Sequence, residues 1–130
     1  MGLLEAASRG PGVVSEDVSP TQAGLAAPAN QATEFNVTGW INRGLVNYFK
    51  VEETGGVMTG TFDVEIYRED TFTTLVYHAV GIDPASAYED PMCFFLRDED
   101  GTRELHLKIT NNDPTNAGTF TVSMKCEQFD

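Results

Sequence analysis

At 130 residues and 14.2 kDa the chain has room for one domain, which can bury a core without metals or disulfides. A formal net charge of −12, with only eight Lys and Arg, argues against nucleic acid and anionic membranes as partners, since both need basic clusters. Two cysteines, Cys93 and Cys126, make neither a disulfide framework nor a close-spaced metal motif, and suit a reducing compartment.

Residues 1–33 hold seven Ala, four Gly and three Pro, and no aromatic residue precedes Phe35. So little apolar mass does not offset the entropy of ordering, which predicts an extended N-terminal arm over 1–33 and a folded domain over 34–130. The arm's apolar residues Leu3, Leu4, Val13, Val14, Val18 and Leu25 are the expected contacts with neighbouring subunits. Met1-Gly2-Leu3-Leu4-Glu5 lacks a basic leader, and Ala6 stands where a myristoylation signal needs Ser or Thr, so export by a signal of its own is not expected.

From Phe35 onward short β-rich runs alternate with turn residues, the pattern of a sandwich or barrel. The expected strands are 34–41, 45–52, 57–67, 71–80, 92–97, 104–110 and 119–128, about seven in all. Period two is clearest where Phe62, Val64 and Ile66 alternate with Asp63 and Glu65. Leu105, Leu107 and Ile109 repeat it against His106 and Lys108, placing His106 toward water. Phe120, Val122, Met124 and Cys126 repeat it again, which makes Cys126 a core residue.

The run from Phe72 to Val80 is apolar on both faces, so it is either covered twice or presents a subunit interface. Gly55-Gly56, Asp100-Gly101 and Asn111-Asn112-Asp113-Pro114 mark turns. The longest connection, 81–91, carries Tyr88, Glu89 and Asp90; with Trp40 as an aromatic platform it is the candidate ligand-binding loop, set against a core reading of the aromatics.

Asp98, Asp100 and Glu104 offer the hard oxygen ligands calcium takes, although the spacing is not that of an EF-hand and a solvated hairpin turn is the competing reading. No other cofactor is implied. His78, His106, Cys93 and Cys126 lack the paired spacing of a zinc module. There is no nucleophile elbow or phosphate loop, and adjacent carboxylates such as Glu52-Glu53 point to opposite faces of a strand, so no catalytic residue is assigned.

Four segments carry a resemblance: Leu75-Val76-Tyr77-His78-Ala79; Phe95-Leu96-Arg97-Asp98-Glu99-Asp100-Gly101-Thr102; Glu104 to Asn112; and Thr119-Phe120-Thr121-Val122. In these the chain resembles bacteriophage virion structural proteins, the β-sandwich modules of capsid decoration and of tails and fibres. The resemblance implies a virion location, assembly in the host bacterial cytoplasm, other virion proteins as partners and no catalysis. The expectation is therefore an antiparallel β-sandwich, jelly-roll or immunoglobulin-like, in a non-enzymatic virion subunit that self-associates and is anchored by its arm. A carbohydrate- or receptor-binding sandwich is the alternative.

Overall fold

The computed structural model describes residues 15–86, 88–90, 94–97 and 102–129. They form ten strands, with no helix among the described residues. The strands are β1 (Ser15–Val18), β2 (Thr21–Ala27), β3 (Gln31–Val37), β4 (Arg43–Glu53) and β5 (Phe62–Tyr67), then β6 (Leu75–Ile82), β7 (Tyr88–Asp90), β8 (Phe94–Arg97), β9 (Leu105–Asn111) and β10 (Gly118–Phe129).

Alternation places the core. Along β10 the side chains of Phe120, Val122, Met124 and Cys126 are buried, while Thr121, Ser123 and Lys125 lie on the other face. Strands β5 and β9 do the same with Phe62, Val64 and Ile66 and with Leu105, Leu107 and Ile109. Two faces patterned in this way bury their apolar rows against each other. Phe62 and Phe120 meet across the layers, ring centroids 4.7 Å apart in an edge-on geometry.

All pairings are antiparallel. In the first sheet β10 and β4 are central; β1 and β2 follow each other along the outer edge of β10, and β8 and β7 share the far edge of β4. The second sheet runs β3-β9-β5-β6. With β1/β2 and β7/β8 each counted as one interrupted strand, this is a four-on-four jelly roll, which decides between the two topologies the sequence left open. Pro20 explains the first interruption, since it has no N–H to donate to the ladder. Its carbonyl still accepts from Met124 N at 3.0 Å, which carries the pairing across the break.

The structure corrects the expected arm. β1, β2 and the start of β3 fall inside 1–33, and Leu25 and Ala27, 8% and 1% exposed, belong to the core. Composition misleads here because these strands borrow their stability: β2 lies on the edge of β10 and β3 on that of β9, so their apolar mass need not suffice alone. Val18 packs against the same core, so neither Val18 nor Leu25 is a free partner contact. Leu3, Leu4, Val13 and Val14 lie outside the described residues.

Three expected strands also overrun, the first of them 34–41, since β3 ends at Val37 and residues 38–41 are loop. Residues 57–61 precede β5 as loop, with Val57 exposed, and residues 71–74 form a turn in which Phe72 takes φ +53°. Phe120→Ala should destabilise the domain by about 3–5 kcal/mol through the cavity it leaves, whereas Val57→Ala should change stability by less than about 0.5 kcal/mol, both read from urea denaturation midpoints.

Candidate functional site

Two of the four large apolar side chains exposed among the described residues, Leu75 and Val80, lie on β6. Strand β6 closes one side of the second sheet and, among the described residues, pairs as a strand with β5 alone, which leaves its other edge facing outward. Its sequence, Leu-Val-Tyr-His-Ala-Val-Gly-Ile, contains no Lys, Arg, Asp or Glu. In a chain with 22% charged residues that is an edge without the charges that normally block strand addition.

The inward side of β6 is well seated. Tyr77 and Ala79 pack against the core, and the Tyr77 ring stacks on Phe94 of β8 at 4.7 Å, both rings meeting Phe49 edge-on at 5.5 and 6.4 Å. This aromatic trio joins the β6 edge to the β8 edge. The opposite side is left bare, with Leu75 46% and Val80 71% exposed. The two-sided apolar run seen in the sequence is thus covered on its Tyr77 and Ala79 side, while on the other side Phe72 is buried, Val76 half-buried and Val80 exposed. A bulge at Gly81, φ +67°, whose N–H donates to Asp63 Oδ1 at 2.8 Å, sets Val80 outward and returns Ile82 to the core.

The expected ligand loop is not assembled. Trp40 is 3% exposed, its backbone N–H donates to Arg103 O at 2.8 Å, and its indole Nε1 finds no hydrogen-bond partner among the described residues. It is a core residue. Tyr88 to Asp90 form β7 against Phe49–Val51, near the opposite end of β4 from Trp40, so the connection 81–91 is partly sheet. Glu89 is exposed and lies 3.9 Å from Lys50. The side chains of Tyr88 and Asp90 lie outside the described residues.

Asp98 and Asp100 of the calcium reading also lie outside them, while Glu104 accepts from Thr102 Oγ1 at 2.6 Å. Among the described residues no three His, Cys, Asp or Glu converge as metal ligands.

His106 lies on the outer face of the second sheet, as its parity requires, but it is 1% exposed rather than facing water. The loop after β5 folds back over it and sets the Phe72 ring edge-on at 6.1 Å, while His106 Nδ1 shares a 2.8 Å hydrogen bond with Asn36 Oδ1. Tyr67 joins this cap, its hydroxyl donating to Glu65 Oε2 at 2.5 Å, and that bond raises the phenol to about 12.

Several carboxylates serve as loop clamps. Asp113, fully buried, accepts from the backbone N–H groups of Thr59, Gly60, Thr115 and Asn116 at 2.8 to 3.1 Å, tying the loop before β5 to the turn after β9. These donors, Thr115 foremost, hold its carboxyl far below the usual carboxylate range. Gly60 permits the approach, since a Cβ there would sit 2.7 Å from Asp113 Cα. Glu53 does the same for Gly55, Gly56 and Thr119. The sequence marks Asp113 only as part of a turn; Asp followed by Thr and Asn two and three residues on is the Asx-turn signal for this role.

A depression of about 340 Å3 is lined by Gln22, Leu25 and residues 34–38, where Glu34 and Thr38 have no histidine or cysteine beside them in the lining. Another, about 290 Å3, reaches Cys126, but burial pushes that thiol up to about 11, which keeps it protonated and unreactive.

No family model matches the chain, and no curated protein matches it. Among solved structures it is similar to a Bacillus endospore appendage protein, from appendages described as a novel family of disulfide-linked pili, at 19% identity and TM-score 0.44 over 89% of this chain and 88% of that one. It is similar to the VP2 subviral particle of infectious bursal disease virus at 12% identity and TM-score 0.41, over 89% of this chain and only 32% of that one. A carbohydrate-binding module of the β-sandwich superfamily follows at 8% identity and TM-score 0.33, over 92% and 57%. With TM-scores below 0.5, none of these likenesses carries a function across.

Asp113→Asn should lower the melting temperature more than Glu127→Gln, whose carboxylate clamps no loop. Because folding lowers the Asp113 pKa, its contribution is fully present above the unfolded carboxylate value of about 3.9 and is lost as pH falls below it. The wild-type protein should therefore lose stability steeply below about pH 4, and Asp113→Asn should flatten that slope.

Proposed function

We propose that the chain is a non-enzymatic structural subunit that packs into a larger assembly, a virion component of the capsid-decoration or tail-associated kind. One observation carries the reading: among the described residues β6 is an uncharged edge strand, with Leu75 and Val80 exposed on it, in an otherwise strongly acidic protein. Such an edge invites a further strand or an apolar partner surface, and isolated soluble domains normally guard against it with charge.

The segment Leu75-Val76-Tyr77-His78-Ala79, part of the resemblance to bacteriophage virion proteins, lies within this strand. The acidic surface agrees with the reading, because net charge keeps free subunits soluble until a specific edge contact outweighs repulsion. In this account residues 1–14, with Leu3, Leu4, Val13 and Val14, supply the anchor expected of the arm. Removing 1–14 should leave a folded domain that no longer joins the particle.

Val80→Lys places a charge where the partner would seat. Sedimentation of the full chain should show wild-type protein forming concentration-dependent assemblies, and the variant, with an unchanged circular dichroism spectrum, needing roughly tenfold more protein or better to do so. Wild-type protein that stays monomeric at all concentrations and in the presence of particles would end this reading, as would a variant that assembles normally.

A further inference from the structure

The depression of about 340 Å3 lies between two edge strands, β2 of the first sheet and β3 of the second, on the side of the sandwich opposite β6. A bulge shapes one wall. Phe120 pairs with Leu25 and Val122 with Gln22, so Ala23 and Gly24 together oppose the single residue Thr121. Gly24 takes φ +74°, the left-handed region in which a side chain is strained. Such a bulge bends its strand, and the two residues that flank this one, Gln22 and Leu25, both line the depression. The other wall is β3 from Glu34 to Val37, followed by Thr38, before Gly39 at φ +69° turns the chain.

The lining joins an apolar base to a polar rim. Leu25 and Val37 are buried, and Phe35 packs half-buried against the core. Gln22, Glu34, Asn36 and Thr38 supply the polar groups. Gln22 Nε2 donates to Ala23 O at 2.9 Å, which leaves its Oε1 as an acceptor. Asn36 Oδ1 lies 2.8 Å from Nδ1 of the buried His106, which leaves the Asn36 amide NH2 as a donor. Glu34 adds a carboxylate 4.0 Å from Lys108, and Thr38 adds a hydroxyl that both donates and accepts.

This set selects by chemistry. No Lys or Arg lines the depression to hold an anion, and one carboxylate already facing Lys108 falls short of the six or more oxygens that calcium takes. Donors and acceptors mixed above an apolar base match a ligand whose own groups are both, on a ring with an apolar C–H face. We infer that the depression binds a neutral pyranose unit of a glycan. Its volume is at the lower end of the range of about 300–1,000 Å3 typical of ligand pockets, enough for about one or two sugar rings. The inference goes beyond the assembly role: a subunit seated through β6 presents this groove on its far side.

Amide NMR spectra of the isotope-labelled full chain test it by titration with the methyl glycosides of glucose, galactose, mannose, fucose, N-acetylglucosamine and N-acetylgalactosamine. At least one should saturably shift the amides of residues 22–25 and 34–38. The double variant Gln22→Ala/Thr38→Ala should keep the fold by circular dichroism and bind that sugar about tenfold more weakly or worse. Val80→Lys should bind it as wild type does, which separates this inference from the β6 contact. Spectra unmoved by every glycoside, shifts confined to another surface, or a double variant that binds like wild type would each overturn it. So would the same amides answering to a synthetic peptide of residues 1–14 and to no sugar, since the groove would then take a strand.

Discussion

The register of β10 is the constraint on which the rest of the structure depends. Its twelve residues supply one row to the core, from Phe120 to Cys126, and the other row to the outer face, from Thr121 to Phe129. They also template both neighbours: β4 on one side, and β1 with β2 on the other. A slip of one residue would carry Lys125 and Glu127 into the core and expose four apolar side chains, which is why the register is well determined. The same alternation that builds the core therefore sets Glu127 opposite Asp17 and Phe129 beside Phe95.

Acidity and apolar surface divide the labour in this molecule. Asp113, Glu53 and Asp63 spend their charge on backbone N–H groups of the loops, which holds the ends of the sandwich closed. Other carboxylates stay on the surface and keep subunits apart in solution. Against that repulsive background the uncharged edge of β6 stands out as a place where a neighbour gains contact without meeting like charge.

Much of the fold was legible from period two alone. The runs from Phe62 to Ile66, Leu105 to Ile109 and Phe120 to Cys126 are buried in strict alternation, and Cys126 is the core residue that pattern implies. The strands from Ser15 to Thr33 were not legible, because short, Ala-rich segments become strands only when an edge of β9 or β10 is there to pair them. His106 shows a related limit: parity gave its face, but its burial depends on Phe72, which reaches back from a turn in a left-handed conformation that local sequence does not announce. For the site, the two-sided apolar pattern of 72–80 left open a second covering layer or an interface, and the structure buries Phe72 while exposing Val80.

Amide hydrogen exchange along β6, followed as the full chain is concentrated, addresses the central claim most directly. If β6 is the assembly edge, the outward amides of Leu75–Ile82 gain protection with concentration, while those of β9 and β10 are protected from the start. Unchanged fast exchange of β6 at concentrations where assemblies are present would contradict the account.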